Sequence, residues 1–316
     1  VVVVGGVRRS ALISLSNLDD DQMRHAKSGN WWETEGQRAL ANNSVSYTDK
    51  PEMGTFMREW VALYESKSGE RGIFNREASN RQVARNERRE TGHVWGTNPC
   101  SEIILRPYQF CNLSEVVVRS GDTLLELKRK VRMATILGTF QSTLTDFKYL
   151  RKIWTQNTEE ERLLGVSLTG IMDHSVLSKT GESGKWLEKM KEEAIRTNQE
   201  YAALLAIPQS AAITCVKPSG TVSQLTNSAS GIHSRHSSYY IRTVRADNND
   251  PLTKLMKDEG VLNEPDVMKP DYTTVFSFPS KSPDKAVTRK DVSAIQQLSL
   301  WKIYADKWCE HKPSIT

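Results

Sequence analysis

Residues 98–119 read NPCSEIILRPYQFCNLSEVVVR, and the prediction of the fold starts from this stretch. A turn at Asn-Pro-Cys leads into a short apolar run, and a second strand-like run follows at residues 111–119. Pro99 makes the turn rigid and disfavours a helical conformation at Asn98. The segment therefore predicts two strands, the first of which follows a turn that carries a cysteine.

Strand-like and helical patterns alternate on both sides of this segment. Further strand-like runs lie at residues 1–4, 11–16, 45–47, 69–75, 213–216 and 275–278. Helical patterns lie at residues 19–27, 51–66, 124–173, 182–205, 254–261 and 291–308, and residues 31–43 have the composition of a loop. Such alternation predicts an α/β fold with mostly parallel strands.

One predicted helix has a clear apolar stripe. Within residues 51–66 the apolar side chains recur at helical spacing, and we expect this stripe to be buried. Its members are Met53, Phe56, Met57, Trp60, Val61 and Tyr64.

Composition and charge exclude several classes of protein. The chain has 43 basic and 38 acidic residues, and its densest basic cluster, residues 81–89, also holds Glu87. We interpret that cluster as a solvated face rather than a nucleic-acid site, because duplex-binding proteins concentrate their positive charge. No apolar run reaches the roughly 18 residues of a membrane span.

The cysteines indicate a reducing environment. Four cysteines at irregular spacing, without a close CxxC pair, predict neither a disulfide scaffold nor a structural zinc site. We therefore expect a cytoplasmic protein without a bound metal ion, located in the host cytoplasm if a phage encodes it.

An amide, a thiol and a carboxylate stand at alternate positions in Asn98, Cys100 and Glu102. In an extended segment alternate side chains project to the same side, so the three groups could meet one ligand. A thiol can donate a hydrogen atom, a carboxylate can move a proton, and an amide can hold a hydroxyl. Taken alone, the spacing favours a buried cysteine in a turn whose neighbours cap the backbone.

A second candidate site follows the strand-like run at residues 213–216. Ser219, Gly220 and Thr221 form a turn with hydroxyl and backbone N–H groups, and Lys217 adds positive charge. Such a turn can bind an anion, but taken alone it can also be an ordinary strand-to-helix connection.

Several segments together resemble the catalytic subunit of ribonucleotide reductase. NPCSEI and FCNLS are similar to its finger loop and the strand that follows, and LLGVSLTGIMD is similar to one of its helices. The other similar segments, in family order along the chain, are GGVRRSALISLS, SGERGIFNREA, KPSGTVSQL and GIHSRHSSYYIRTVRAD. The resemblance extends from Val1 to about Asp250 and is strongest to the adenosylcobalamin-dependent class.

The resemblance implies a fold and a set of catalytic roles. Residues 1–316 would be part of one ten-stranded α/β barrel domain, without its N-terminal and C-terminal parts, and a central finger loop would carry Cys100. Cys100 would bear a thiyl radical that removes the 3′ hydrogen of the ribose, while Glu102 would take the 3′-hydroxyl proton. Asn98 would hold the ribose hydroxyls, and Cys111 would be one of two thiols that deliver reducing electrons.

Binding sites and partners follow from the same resemblance. Pro218, Ser219, Gly220 and Thr221 would bind the phosphates of a ribonucleoside triphosphate or diphosphate. Gln37 and Arg38 would belong to the loop through which a deoxynucleotide effector selects the base. Adenosylcobalamin would generate the radical, and a thioredoxin-like protein would supply electrons. Two alternatives stay open: a reductase whose radical comes from a separate subunit, and a nucleotide-binding protein without catalytic activity.

Overall fold

The computed structural model describes residues 12–67 and 69–314. The strand-like run predicted at residues 1–4 and the glycine turn after it lie outside these residues. The strand predicted at residues 11–16 is confirmed from Leu12 onward.

Helices and strands alternate along the described chain. The strands are β1 (Leu12–Ser16), β2 (Ala41–Tyr47), β3 (Gly72–Asn75), β4 (Gly96–Thr97), β5 (Ile104–Leu105), β6 (Asn112–Val117), β7 (Leu164–Thr169), β8 (Tyr239–Asp247), β9 (Asn263–Pro265) and β10 (Thr273–Lys281). The helices are α1 (Asp21–Arg24), α2 (Trp31–Thr34), α3 (Met53–Ser66), α4 (Arg76–Ala84), α5 (Leu124–Gln141), α6 (Lys152–Glu161), α7 (Ser183–Leu204), α8 (Val222–Leu225), α9 (Pro251–Asp258) and α10 (Ala294–Lys307). Two 3₁₀ turns span Gly36–Leu40 and Ile171–Asp173.

Two parallel ladders form the framework. One has the strand order β1-β2-β3. The other pairs β6 with β7 and continues through parallel bridges between Val166 and Thr214 and between Val216 and Pro313. The short antiparallel pair β4 and β5 lies between the two ladders in the sequence. The predicted α/β class with parallel strands is confirmed, although these ladders do not close into a barrel within the described ranges.

A separate sheet departs from the prediction of mostly parallel strands. Strand β10 lies between β8 and β9 and pairs antiparallel with both. Pro279 lies inside β10 and pairs with Ile241, whereas the predicted strand-like run stopped at residue 278.

The main core lies between the second ladder and its covering helices. Helices α5, α7 and α10 pack there, and every residue of β7 is buried. A parallel strand covered on both faces has a nearly continuous apolar sequence. The prediction that residues 163–172 are helical is therefore wrong, because a short buried apolar run has no periodicity that separates strand from helix.

The predicted buried stripe on α3 is also wrong. The helix is confirmed, but Met53, Met57, Trp60 and Tyr64 are exposed, and its buried residues are Glu59 and Ala62. Glu59 is buried because Arg71 forms hydrogen bonds of 2.6 and 2.8 Å with its carboxylate. Periodicity identifies the residues that share one face of a helix. In α3 the ion pair between Glu59 and Arg71 determines which face is buried.

Gly170 connects the end of β7 to the segment that carries the second candidate site. Its φ angle is +83°, and a Cβ atom at this position would lie 2.3 Å from the carbonyl oxygen of Val118. Its backbone N–H donates to the carbonyl of Ala229 at 2.7 Å. A side chain would therefore introduce both backbone strain and a collision with main-chain atoms.

We predict that Gly170→Ala lowers the free energy of unfolding by at least about 2 kcal/mol, because a non-glycine residue at positive φ is strained. Urea unfolding monitored by circular dichroism measures the change. Gly181→Ala is the matched control, since Gly181 has open space around its Cα, and its expected effect is within about 0.5 kcal/mol. Equal stability of the two variants would contradict the prediction.

Candidate active site

The segment between β4 and β5 forms a tight loop. The Ser101 N–H donates to the carbonyl of Asn98 at 2.8 Å, and Ser101 has a φ angle of +64°. The Thr97 hydroxyl donates to the carbonyl of Ile103, and the Ile103 N–H donates to Oδ1 of Asn98 at 3.1 Å. The loop is therefore closed by hydrogen bonds across its own base.

Asn98 and Glu102 converge through this turn. Nδ2 of Asn98 donates to Oε1 of Glu102 at 2.7 Å, and the Cys100 side chain between them is buried. The extended geometry expected for alternate positions is wrong, because a turn, rather than an extended strand, brings the amide to the carboxylate. The predicted meeting of these two groups is nevertheless present.

A lysine from the second ladder completes the cluster. Nζ of Lys217 lies 3.1 Å from Oε1 of Glu102 and 3.9 Å from Sγ of Cys100. Glu102 has no exposed surface, and its Oε2 is buried without a hydrogen-bond partner among the described residues. Burial is the largest single influence and lowers the pKa of Lys217, but the charge of Glu102, the neighbouring Cys100 and the hydrogen bond to Glu102 together leave the pKa above its usual value. The lysine is therefore a cation at neutral pH.

The chain near residue 312 holds the loop from another side. The Ser314 hydroxyl donates to the carbonyl of Cys100 at 2.6 Å, and the Lys312 N–H donates to the carbonyl of Glu102 at 3.1 Å. Nζ of Lys312 donates to the Ser101 hydroxyl, and burial lowers the pKa of this lysine to about 8. From β2, Asn42 donates to the carbonyl of Pro99 at 2.5 Å.

Two arginines from the basic cluster also support the loop. Arg89 is buried, pairs with Glu161 at 2.9 Å and donates to the carbonyl of Ile104 at 2.9 Å. Arg88 forms two hydrogen bonds with the carboxylate of Glu310 at 2.6 and 2.7 Å. The interpretation of residues 81–89 as a solvated face is wrong for these two residues, because carboxylates distant in sequence neutralise their charge.

Cys111 lies at the start of β6 and close to β7. A Cβ atom at Gly165 would lie 3.3 Å from Sγ of Cys111 and 3.2 Å from Ile103. The thiol and the loop therefore approach the same part of β7. Burial, followed by the charge of Glu102, raises the pKa of the Cys111 thiol, which stays protonated at neutral pH. Cys215 and Cys309 are buried as well.

The turn at Pro218 to Thr221 lies next to β6. Ser219 is buried, and its hydroxyl donates to Oε2 of Glu115 at 3.0 Å and accepts from the Ser223 N–H at 3.0 Å. Gly220 and Thr221 are exposed. Burial raises the pKa of Glu115, while the Ser219 hydrogen bond and Lys217 lower it less strongly. The expected turn is confirmed, and the Ser219 hydroxyl is already used within the protein.

A buried ion pair fixes the segment that faces this turn. Arg235 donates to both carboxylate oxygens of Asp173 at 2.9 and 2.8 Å. Asp173 also accepts from the Ala229 N–H at 2.8 Å, and the Ser230 hydroxyl accepts from the Ser219 N–H at 2.9 Å. Hydrogen bonds therefore connect the end of β7 to the turn at Ser219.

Gln37 and Arg38 lie in the 3₁₀ turn that precedes β2. Gln37 is exposed and contacts Glu35, whereas Nη1 of Arg38 donates to the carbonyl of Ala26 at 2.6 Å. The prediction of a loop at residues 31–43 is wrong in part, because α2 and this turn are helical and β2 begins at Ala41.

Comparison with known proteins identifies the family. Residues 29–213, more than half of the chain, match the family model of the ribonucleotide reductase barrel domain. The chain belongs to the ribonucleotide reductase family. The fold is accordingly of the α/β barrel type.

Individual relatives give a consistent description. The adenosylcobalamin-dependent ribonucleoside-triphosphate reductase of Lacticaseibacillus paracasei is 30% identical, over 100% of this chain and 45% of that protein. The enzyme of the same name from Euglena gracilis is 28% identical, over 99% of this chain and 42% of that protein. A crystal structure of a B12-dependent class II ribonucleotide reductase superposes with a TM-score of 0.77 at 24% identity, over 96% of this chain and 46% of that chain.

The chain thus spans less than half the length of these reductases. Within the described ranges no helix is long and apolar enough to cross a membrane. Residues 12–67 and 69–314 also contain no group of three or more His, Cys, Asp or Glu side chains that could hold a metal ion.

Three charged residues at this candidate site could not be placed from the sequence. Lys217 was expected only as a source of positive charge at the turn, and Glu115 and Lys312 were not among the predicted site residues. A charged residue in a predicted strand or next to one could have been a signal, since such residues are seldom withdrawn from water unless they are paired. Their partners, however, lie more than 100 positions away in the sequence.

His311 connects the loop to β7 and is fully buried. Its Nδ1 accepts from the Ile104 N–H at 3.3 Å, so Nε2 carries the proton and donates to the carbonyl of Leu164 at 2.9 Å. Burial, reinforced by Arg89, lowers the pKa of His311 to about 3. The folded protein therefore holds this imidazole neutral.

We predict that the His311 contribution to stability is complete above pH 6.5 and is lost as the pH falls toward 3, because the unfolded chain then binds a proton that the folded protein excludes. His311→Gln should lower the free energy of unfolding by about 2 kcal/mol at pH 7. Between pH 6.5 and 4 the free energy of unfolding should decrease less in this variant than in the wild type. Urea unfolding at several pH values measures both effects. His25→Gln, at an exposed position, should keep the wild-type pH dependence. An unchanged slope in His311→Gln would refute the assignment.

Proposed function

We propose that the protein reduces ribonucleotides to 2′-deoxyribonucleotides by thiyl-radical chemistry. The observation that carries the proposal is the convergence of Asn98, Cys100 and Glu102 in one buried loop, next to a protonated thiol at Cys111. The names of the curated relatives and the match to the barrel-domain model support the same reaction.

The roles of the loop residues follow from their chemistry. A thiyl radical on Cys100 would remove the 3′ hydrogen atom of the ribose. Oε2 of Glu102 would accept the 3′-hydroxyl proton, since this buried oxygen has no partner among the described residues. Asn98 would orient the ribose hydroxyls, because its amide already contacts Glu102. Loss of the 2′-hydroxyl as water then requires two electrons and two protons.

The electrons would come from two thiols, of which Cys111 is one. Their oxidation to a disulfide supplies two hydrogen atoms, so the overall reaction converts a ribonucleotide and two thiols into a deoxyribonucleotide, a disulfide and water. At the end Cys100 returns the hydrogen atom to the 3′ carbon and becomes a thiyl radical again. A thioredoxin-like protein would reduce the disulfide again. The reaction requires reduced thiols, and we therefore assign it to the cytoplasm.

The substrate and the effector would bind at two surfaces. We assign the phosphates of a ribonucleoside triphosphate or diphosphate to the turn formed by Pro218, Ser219, Gly220 and Thr221. Gly220 and Thr221 are exposed there, and the triphosphate is favoured by the names of the relatives. A deoxynucleotide effector would contact Gln37 and Arg38. These residues precede β2, whose Asn42 is bonded to the loop at Pro99.

The proposed cofactor is adenosylcobalamin. When bound, it would supply the radical that takes the hydrogen atom from the Cys100 thiol. The donor set fits such chemistry, because the thiol is buried at the tip of a loop beside an amide and a carboxylate. Burial also protects a sulfur radical from side reactions with solvent.

The fold belongs to the same proposal. We propose that residues 1–316 belong to one ten-stranded α/β barrel domain, in which the segment between β4 and β5 is the finger loop. Support comes from contacts on several sides of the loop, from β2, from the segment after Val216 and from residues 311–314.

The test is turnover of ribonucleoside triphosphates by the protein with a dithiol reductant. We predict that Cys100→Ser abolishes deoxyribonucleotide formation and keeps substrate affinity within about threefold, because the exchange removes the radical-bearing sulfur and little volume. Glu102→Gln should lower kcat by about 10²-fold to 10⁴-fold, the usual contribution of a proton-transfer group. Product is measured by chromatography and affinity by equilibrium dialysis.

Cys309→Ala serves as the control, because Cys309 is a buried thiol of the main core and makes no contact with the loop in the hydrogen bonds described. It is expected to retain turnover. Activity in Cys100→Ser would contradict the proposal. Turnover that requires adenosylcobalamin and no second protein would support the cofactor assignment, and turnover without it would overturn that assignment.

A further inference from the structure

We propose that Lys217 is a positioning residue that keeps Glu102 ionised and leaves Oε2 as the oxygen that accepts the proton. The inference rests on the proposed function in one respect, namely that Glu102 acts as a base. The ionisation of Glu102 itself is a separate property that can be measured without turnover.

The hydrogen bonds to Glu102 are divided unevenly between its two oxygens. Nζ of Lys217 lies 3.1 Å from Oε1, and Nδ2 of Asn98 lies 2.7 Å from the same atom. Oε2 is buried and has no hydrogen-bond partner in the described part of the chain. Two donors on one oxygen fix the rotation of the carboxylate, so the second oxygen is oriented by them and stays available to a substrate hydroxyl.

The ionised form of Glu102 depends on a nearby cation. A fully buried carboxylate takes up a proton unless a positive charge or several hydrogen bonds stabilise its anion. The amide of Asn98 donates one hydrogen bond but carries no charge. Lys217 supplies the charge at contact distance, and it stays cationic because Glu102 raises its pKa despite burial.

Other charged or titratable groups face this pair from every neighbouring element. Lys312 acts on Glu102 from the segment after α10, but its ammonium contacts Ser101. The remaining groups are Cys100 on the loop, Arg89 after α4, Cys111 and Glu115 at β6, and Cys215 before Lys217. Among the contacts described, Lys217 is the cation bonded to the carboxylate.

The backbone holds Lys217 in place independently of its charge. The Lys217 N–H donates to the Ser167 hydroxyl on β7 at 2.8 Å. The carbonyl oxygen of Lys217 lies against Gly231, where an added Cβ atom would be only 2.5 Å away from it. Lys217 also directly precedes the turn at Pro218 to Thr221 that we assign to phosphate. The same residue therefore couples the base to the position of the bound nucleotide.

Infrared spectroscopy of the protein at pH 7.5 tests the inference directly. Lys217→Met should produce a carbonyl stretching band of a protonated carboxyl group that is weak or absent in the wild type. The band should disappear when Glu102→Gln is added to Lys217→Met, which assigns it to Glu102 rather than to Glu115. Lys217→Arg keeps the positive charge and should show no such band.

Lys312→Met is the matched control, because it removes the other lysine near the loop without removing a contact to the carboxylate. The carbonyl stretching band of a protonated carboxyl group should be clearly weaker in Lys312→Met than in Lys217→Met. A Glu102 that stays ionised in Lys217→Met would overturn the inference, and so would equal bands in the two variants. Circular dichroism and urea unfolding establish that each variant is folded, and Lys217→Gln replaces Lys217→Met if the latter does not fold.

Kinetics provide the second readout. If Glu102 is the base, Lys217→Met should lower kcat at least 10-fold at pH 7.5 with KM changed less than threefold, and kcat should recover as the pH rises and Glu102 ionises. A parallel loss at every pH would indicate a structural role and overturn the inference. A wild type without reductase activity would instead refute the proposed function, while the infrared result would still decide the role of Lys217.

Discussion

The negative charge of a carboxylate removed from water must be compensated, and the contacts of Glu102 with Lys217 and Asn98 meet this requirement. The contact with Lys217 joins a short loop to a strand segment that lies 115 positions further along the chain. Because a buried, unpaired charge is strongly destabilising, the loop conformation and the second ladder are energetically coupled. The geometry around Cys100 is therefore a property of the whole framework rather than of the loop alone.

Other buried carboxylates around the site are also compensated by a positive charge. Arg89 with Glu161, Arg88 with Glu310 and Arg235 with Asp173 are pairs in which at least the carboxylate is buried. Each pair joins segments far apart in sequence, and each also donates to or accepts from backbone groups near a turn. Apolar packing of α5, α7 and α10 on β6 and β7 supplies most of the buried core, whereas the ion pairs determine where the irregular segments lie. Such a division is suitable for a site built largely on loops.

Much of the fold could be predicted from local patterns. Helix α7 and strand β6 follow directly from periodicity, and α10 begins at a capping box formed by Ser293 and Gln296. Strand β7 could not be distinguished from a helix, because burial on both faces removes the alternation of polar and apolar residues. The exposed apolar face of α3 could not be predicted either, since a buried Glu59 depends on Arg71, which lies on another element. At the site, Asn98, Cys100 and Glu102 were recognisable from spacing and resemblance, whereas Lys217 depends on a contact that no local pattern contains.

The hydrogen bonds from residues 311–314 to the loop have a consequence for the order of folding. Ser314 and Lys312 bond to the loop at Cys100 and Ser101 across sequence separations of 214 and 211 residues. Contacts between positions so distant in the chain form late, because the entropy of closing the intervening segment must be overcome first. During synthesis the cysteine is made long before residues 311–314, and its thiol remains open to oxidants until these residues reach the loop. The redox state of the cell during translation therefore bears on how much of the protein matures with an intact sulfur at position 100.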